Sequence, residues 1–240
     1  KTHSLRHKVF LSTTKGIEDT TLLRMSEVVS EELGRVDLAV LSGPNISIEV
    51  ARGLPAVSVV ASKHAAISEY FQDILMSNSF RVYTNDDVVG VELGGSLKNI
   101  IALACGIADG LGFGSNAKSA LLTRGLVEMS RLGVAMGARR HTFFGASGLG
   151  DLVTTCWSPH SRNRYVGEQI AKGKTLRAVL QRMQMVAEGV LTTKAAYQLS
   201  RRYNIEMPIT KEIFLVLFKH KSPRSAVRDL MLRAKKAELS

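Results

Sequence analysis

The chain has 240 residues, 45% of them hydrophobic, and a formal net charge of +11. That length supports one large domain or two small ones with real cores, and no apolar run reads as the roughly 18 residues that span a bilayer. Its basic excess is spread over chain ends and helix surfaces, in short clusters such as Lys235-Lys236, without the aromatic interleaving that base stacking needs; nucleic acid is therefore not an expected partner, while a small anionic substrate suits the sign.

Cys105 and Cys156 lie far apart in sequence, outside any CxxC pair, so no disulfide framework is indicated and a reducing, cytoplasmic setting is expected. The six histidines (His3, His7, His64, His141, His160 and His220) never fall at metal-ligand spacing, and no metal is expected. The chain opens on Lys1 without a charged-then-apolar leader and reads as the body of something longer.

The first third alternates strands and helices. Val9-Phe10-Leu11 predicts a short strand ending in the turn Thr13-Thr14-Lys15-Gly16, and a helix should follow from about Thr20 to Leu33, with Leu22, Val29 and Leu33 on one face. Leu38 to Leu41 is an apolar run stopped by Ser42-Gly43-Pro44. After a short helix, Ala56 to Val60 is a third strand, His64 to Met76 a helix and Phe80 to Tyr83 an extended piece. Apolar strands between helices predict a parallel sheet covered on both faces.

From Asn85 onward only helices are expected. Leu97, Ile100, Ile101, Ala104 and Ala108 mark one apolar stripe behind Ser96 as N-cap. A second long helix spans Ala117 to Met136. Leu176, Val179, Leu180 and Met183 recur at helical spacing behind Thr175; Val190 to Tyr203 and Ile213 to Phe218 follow, separated by Pro208. The last helix opens with Ser222 as cap and Pro223 at its first position, with Val227, Leu230, Met231 and Ala234 as its stripe. The fold class is thus α/β plus all-α: part of a Rossmann-like sheet domain over residues 1–84, then a helical domain over residues 85–240 that carries substrate and chemistry.

Five segments could carry chemistry. Gly94-Gly95-Ser96-Leu97-Lys98-Asn99 reads as the start of a buried helix, where the positive end of the dipole would make Lys98 a weaker base and a usable general acid. The alternative is a flexible turn before a surface lysine. Gly148-Leu149-Gly150-Asp151 is a glycine-rich bend whose aspartate could orient a lysine or hold a hydroxyl; Ser161-Arg162-Asn163-Arg164 offers a planar fork and an amide donor for phosphate, and a polar loop is the plainer reading of both. Thr14-Lys15-Gly16 and Ser42-Gly43-Pro44-Asn45 sit at carboxyl ends of strands, the edge where open α/β sheets bind ligands. Gly112-Phe113-Gly114-Ser115-Asn116-Ala117 fits a dinucleotide-binding expression, but it follows a helix, so we read it as a helix–helix turn capped by Ser115 or Asn116.

Taken together, TTKG at Thr13–Gly16, LSGPN at Leu41–Asn45, VELGGSLKN at Val91–Asn99, DGLGFGSNAKSALLTRGL at Asp109–Leu126, GASGLGDLVTTC at Gly145–Cys156, SRNR at Ser161–Arg164 and MPIT at Met207–Thr210 resemble the bacterial-type NAD(P)-dependent glycerol-3-phosphate dehydrogenases, in order and spacing through essentially the whole chain. The resemblance implies an oxidoreductase interconverting dihydroxyacetone phosphate and sn-glycerol 3-phosphate with NAD or NADP, feeding glycerophospholipid synthesis. Lys98 corresponds to the catalytic lysine. Lys15, Gly43, Asn45, Lys98, Asp151, Ser161, Arg162 and Asn163 correspond to substrate contacts, and Thr155 to a nearby hydroxyl. Lys15, Ser47, Arg162, Val186 and Glu188 correspond to nucleotide contacts, Ser47 standing where the family usually has alanine. Members begin with a strand and a GxGxxG turn that hold the pyrophosphate, which these 240 residues lack. By that comparison roughly the first quarter of a typical member is absent, and this stretch alone should hold the nucleotide poorly. A homodimer is left open. Two other readings remain: a related helical-domain dehydrogenase acting on a hydroxy acid or phosphogluconate, and a non-catalytic truncated homologue.

Overall fold

A computed structural model describes residues 8–235, 237 and 238. His3, His7 and Lys236, noted above, lie outside them. Four strands, β1 (Val9–Ser12), β2 (Asp37–Ser42), β3 (Ala56–Ala61) and β4 (Phe80–Asn85), form one sheet in that spatial order. β1 runs parallel to β2 and β3 parallel to β4, but β2 and β3 pair antiparallel, with Ser42 opposite Val59. The sheet is mixed, not parallel throughout. The cause is the connection: the only helix between β2 and β3 is α2 (Ser47–Ala51), five residues long. Such a helix rises only about 7.5 Å, too little to return the chain along a strand of roughly 20 Å for a parallel crossover.

The helix after β1 is shorter than the apolar spacing suggests. α1 runs Met25–Leu33, and Leu22 lies outside it with φ 66°, in a turn closed by an Ile17–Arg24 bridge. Glu92 reaches across to this helix start, accepting from Ser26 N at 2.8 Å and pairing with Arg24. α3 (Ala65–Leu75) covers one sheet face, above Ala39, Val60 and Val82.

α4 (Val88–Gly110) is the axis of the rest. Every residue from Gly90 to Ala108 is buried. By length and hydropathy alone this helix could cross a membrane, although Gly94-Gly95, Ser96, Lys98 and Asn99 interrupt its apolar run. Here it is the core of the helical part, enclosed by α5 (Ser115–Ala135), α6 (Asp151–Trp157), α7 (Arg162–Ala171), α9 (Glu188–Arg202) and α10 (Pro208–Phe218). The true N-cap is Asp87, which accepts from Gly90 N at 2.9 Å and also from Arg139 N and Thr142 Oγ1. Ser96 therefore lies mid-helix, and Lys98 lies beyond the first turn to which a dipole effect is confined. The dipole reading of Lys98 fails on that geometry.

Other boundaries shift by smaller amounts. α5 starts at Ser115 with Gly114 as N-cap, so neither Ser115 nor Asn116 caps it, although the turn does join two helices. α8 (Leu176–Gln181) and α11 (Pro223–Met231) start behind the expected caps, Thr175 and Ser222. Pro208 opens α10 rather than preceding it, and Glu128 of α5 supplies its cap, accepting from Ile209 N at 2.6 Å and Thr210 N at 3.1 Å. On α11 the buried residue is Ala226; Met231 is exposed, and Ala234 lies past the helix end. Cys105 and Cys156 are both buried and free, and their mutual hydrogen bond, with burial, pushes the Cys156 thiol up.

Candidate active site

The parallel pairing of β1 and β2 brings their carboxyl ends to the same edge, so the turn carrying Lys15 lies beside the one carrying Gly43 and Asn45. Lys15 Nζ donates to Gly43 O at 3.2 Å, Asn45 Oδ1 at 3.3 Å and Asp151 Oδ2 at 2.6 Å. Asn45 is turned by Ser58 of β3, whose Oγ accepts from Asn45 Nδ2 at 2.9 Å. Ser96, displaced from its expected capping role, clasps this turn instead: its Oγ accepts from Gly16 N at 2.9 Å.

Gly94 and Gly95 are not a hinge. They thin the middle of α4 so that two other elements can approach. A side chain at Gly94 would strike Ser147 O at 2.6 Å, in the π-helical turn Ala146–Gly150 that delivers Asp151 to α6. A side chain at Gly95 would collide with Ser42 Oγ and touch Lys15 Cδ at 3.4 Å. Backbone proximity of this kind is what glycine permits.

Three and four residues further along α4, Lys98 and Asn99 carry the polar centre. Lys98 Nζ donates to Asp151 Oδ1 at 2.5 Å and Thr155 Oγ1 at 2.7 Å. Thr155 stands one helical turn after Asp151 on α6, which is why both reach the same amine. An ammonium has three N–H donors. Those of Lys15 are all engaged, whereas Lys98 keeps one for a ligand. Burial pushes the Lys98 amine down to about 8, with the Asp151 carboxylate opposing that fall and the Lys15 charge adding to it. Desolvation thus supplies the weakened base that the sequence reading had assigned to the helix dipole.

Beside this cluster, Asn99 Nδ2 donates to Glu188 Oε2 at 3.1 Å, and Gly189 N donates to Asn163 Oδ1 at 2.9 Å. The second bond leaves the Asn163 amide N–H groups for another partner. Ser161 caps α7 through Arg164 N at 3.2 Å. Arg162 is half-buried at the first position of α7, and its guanidinium has no hydrogen bond or ion pair among the described residues.

Of the expected site residues, Lys15, Gly43, Asn45, Lys98 and Asp151 are joined directly, and Glu188 is joined through Asn99. Asn163 adjoins that group through Gly189. Ser47 is exposed at the start of α2, and Val186 is exposed just before α9; neither bonds to the cluster. Asn99 and Ser58 were not singled out from sequence. Adjacency to Lys98 was the available signal for Asn99, and Ser58, inside an apolar strand, gave none.

A dinucleotide would find exposed apolar surface at Val186 and a second Glu188 carboxylate oxygen without a protein partner among the described residues. No glycine-rich strand-to-helix turn that could cradle a pyrophosphate occurs among them. No group of three or more potential metal ligands occurs there either.

Two family models match: the NAD-dependent glycerol-3-phosphate dehydrogenase N-terminus over residues 1–68 and the corresponding C-terminus over residues 87–228. The chain is 56% identical over 231 residues to glycerol-3-phosphate dehydrogenase (NAD(P)+) of Thermoanaerobacter sp. (strain X514), covering 96% of this chain and 70% of that protein. It is 52% identical over 240 residues to the enzyme of the same name from Syntrophotalea carbinolica, of which it covers 72%. Among solved structures, glycerol-3-phosphate dehydrogenase from Coxiella burnetii superposes with a TM-score of 0.91 at 42% identity, over 94% of this chain and 69% of that one. With Lys98, Asp151 and Lys15 assembled on this fold, the chain belongs to the NAD-dependent glycerol-3-phosphate dehydrogenase family.

Proposed function

We propose that the protein reversibly reduces dihydroxyacetone phosphate to sn-glycerol 3-phosphate in the cytoplasm, supplying glycerophospholipid synthesis. The observation that carries this is the Lys98 amine: buried, poised near 8, held by Asp151 and Thr155, and with one N–H direction left over. Bound NAD or NADP supplies the hydride equivalent at the ketone carbon. Lys98 gives its proton to the oxygen that gains charge, and in the reverse direction accepts it from the alcohol. Thr155 and Asp151 fix the amine, and Asp151 stabilises its charged form. Asn163, with its amide N–H groups free, and Arg162, with its planar fork, are suited to the phosphate at the other end of the substrate. Ser161 serves this pair by capping the helix that carries them. Binding energy from the phosphate then positions the carbonyl beside Lys98.

Glu188, Val186, Ser47, Arg162 and Lys15 are the residues we assign to the nucleotide. The sheet portion, residues 1–84, acts as the nucleotide side and residues 85–240 as the substrate and catalytic side. An unphosphorylated hydroxy acid would leave the Arg162–Asn163 pair without a phosphate to hold, whereas 6-phosphogluconate also carries one and is separated from the triose by turnover.

The test is turnover of the full-length protein on dihydroxyacetone phosphate, 6-phosphogluconate and a small hydroxy acid, with NADH and NADPH in turn. Activity confined to the phosphorylated ketone and its alcohol is the expected result. Preference for either competitor overturns the assignment.

A further inference from the structure

Ser42 ends β2 and is 2% exposed. Ser26, Ser58, Ser62 and Ser96 are buried like it, and each has a hydrogen-bond partner. Among the described residues, Ser42 Oγ is the only buried side-chain nitrogen or oxygen without one. Such an atom carries a desolvation cost that folding normally avoids, so it calls for an explanation.

Its position suggests one. Ser42 precedes Gly43, whose carbonyl accepts from Lys15, and its hydroxyl faces the bare backbone of Gly95 next to the Lys15 stem. Lys98 follows Gly95 by three residues and lies on the same side of α4. The hydroxyl therefore lies against α4 beside the Lys15 stem, one helical turn before Lys98. Lys15 has committed all three of its donors to protein, which leaves the remaining N–H of Lys98 and this unpartnered hydroxyl as donors not yet used at this end of the cluster.

We propose that Ser42 is a substrate-binding residue whose hydroxyl hydrogen-bonds an oxygen of the three-carbon phosphorylated ligand. A serine hydroxyl both donates and accepts. It can donate to the carbonyl of the ketone and accept from the hydroxyl of the alcohol, which a reversible reaction requires of any partner at that oxygen. The assignment rests on the reading of the site as one for a phosphorylated ketone and its alcohol.

Ser42→Ala in the full-length protein tests it, through thermal melts with and without sn-glycerol 3-phosphate and steady-state rates on dihydroxyacetone phosphate. The ligand-free melting temperature should stay level or rise, because an unpartnered polar atom is removed. The kcat/KM should fall about three- to tenfold, the size of one ordinary hydrogen bond, and the stabilisation by sn-glycerol 3-phosphate should shrink. Ser42→Cys, similar in shape but a weak donor, should fall between. A ligand-free melting temperature that drops, with or without lost activity, would place the hydroxyl in a structural hydrogen bond and overturn the proposal; an unchanged kcat/KM would do so too. If the wild-type protein neither turns over the ketone nor is stabilised by sn-glycerol 3-phosphate, the fault lies in the functional reading, whereas normal wild-type activity that survives Ser42→Ala condemns Ser42 alone.

Discussion

Asp151→Asn asks whether one carboxylate sets the charge of the Lys98 amine. Asp151 is 2% exposed and bridges two ammonium groups, with Lys98 Nζ at 2.5 Å and Lys15 Nζ at 2.6 Å. Burial holds Lys98 at about 8 even though Asp151 pulls the other way. Neutralising the carboxylate while keeping its shape removes an opposite charge worth about 1–3 pKa units at this range. The Lys98 value should then fall by that amount, to roughly 5–7. Oxidation of sn-glycerol 3-phosphate needs neutral Lys98, so its kcat/KM should rise through about pH 8 in the wild type and through a point about 1–3 units lower in the variant. Ketone reduction, which needs the proton, should lose progressively more as pH rises from about 5 through 8. Stability offers an independent readout. Because the folded value is depressed below the unfolded one, the unfolded chain binds more protons between them, and stability rises with pH across that interval. In Asp151→Asn the rise should begin about 1–3 units lower. Removing one member of a buried pair typically costs about 3–5 kcal/mol, and that loss should be smaller at pH 8 than at pH 5 because Lys98 can shed its charge. Rate profiles in both directions and a pH series of melts measure all of this. An oxidation limb that stays at pH 8, with only a lower plateau, would refute the reasoning.

Arg162→Ala should weaken the phosphorylated substrate about ten- to more than a hundredfold, with Arg162→Lys restoring only part; equal losses on dihydroxyacetone phosphate and dihydroxyacetone would remove the phosphate role. Burial pushes Glu128 up to about 7, so the folded chain holds that proton more tightly than the unfolded one, and this group's contribution to stability declines as pH rises from about 4.5 to 7. Glu128→Gln should remove that decline, a difference on the order of 3 kcal/mol between the two proteins across the interval, read from urea melts at each pH. Parallel pH curves would dismiss Glu128 as the titrating group.

Much of the site was legible because its residues sit in short blocks whose chemistry is local. Thr175 and Ser222 each precede a helix they can cap alone, and both do. Lys15, Asn45 and Asp151 follow strand ends or a glycine bend, places where side chains converge in open sheets. What was not legible was set by partners distant in sequence. The antiparallel β2–β3 pairing follows from the brevity of α2, which apolar runs do not encode. The cap of α10 comes from Glu128, some eighty residues earlier in the chain.

Gly94-Gly95 does not open the helix, yet it lies one turn before the lysine that the structure joins to Asp151. Two adjacent glycines lower helix propensity by roughly 1 kcal/mol each, so they look like a helix start. Inside α4 that cost is offset by tertiary contact: α4 is buried on every side, and the missing side chains admit Ser147 O against one glycine and Ser42 with the Lys15 stem against the other. Those two approaches are what bring Asp151 and Lys15 to Lys98. Had Gly94-Gly95 opened the helix, Lys98 would sit in an exposed first turn, where a dipole shifts a lysine only slightly. Placed mid-helix, it is buried deeply enough for desolvation to act, and the glycines supply the room for the single carboxylate that keeps its proton within reach of neutral pH.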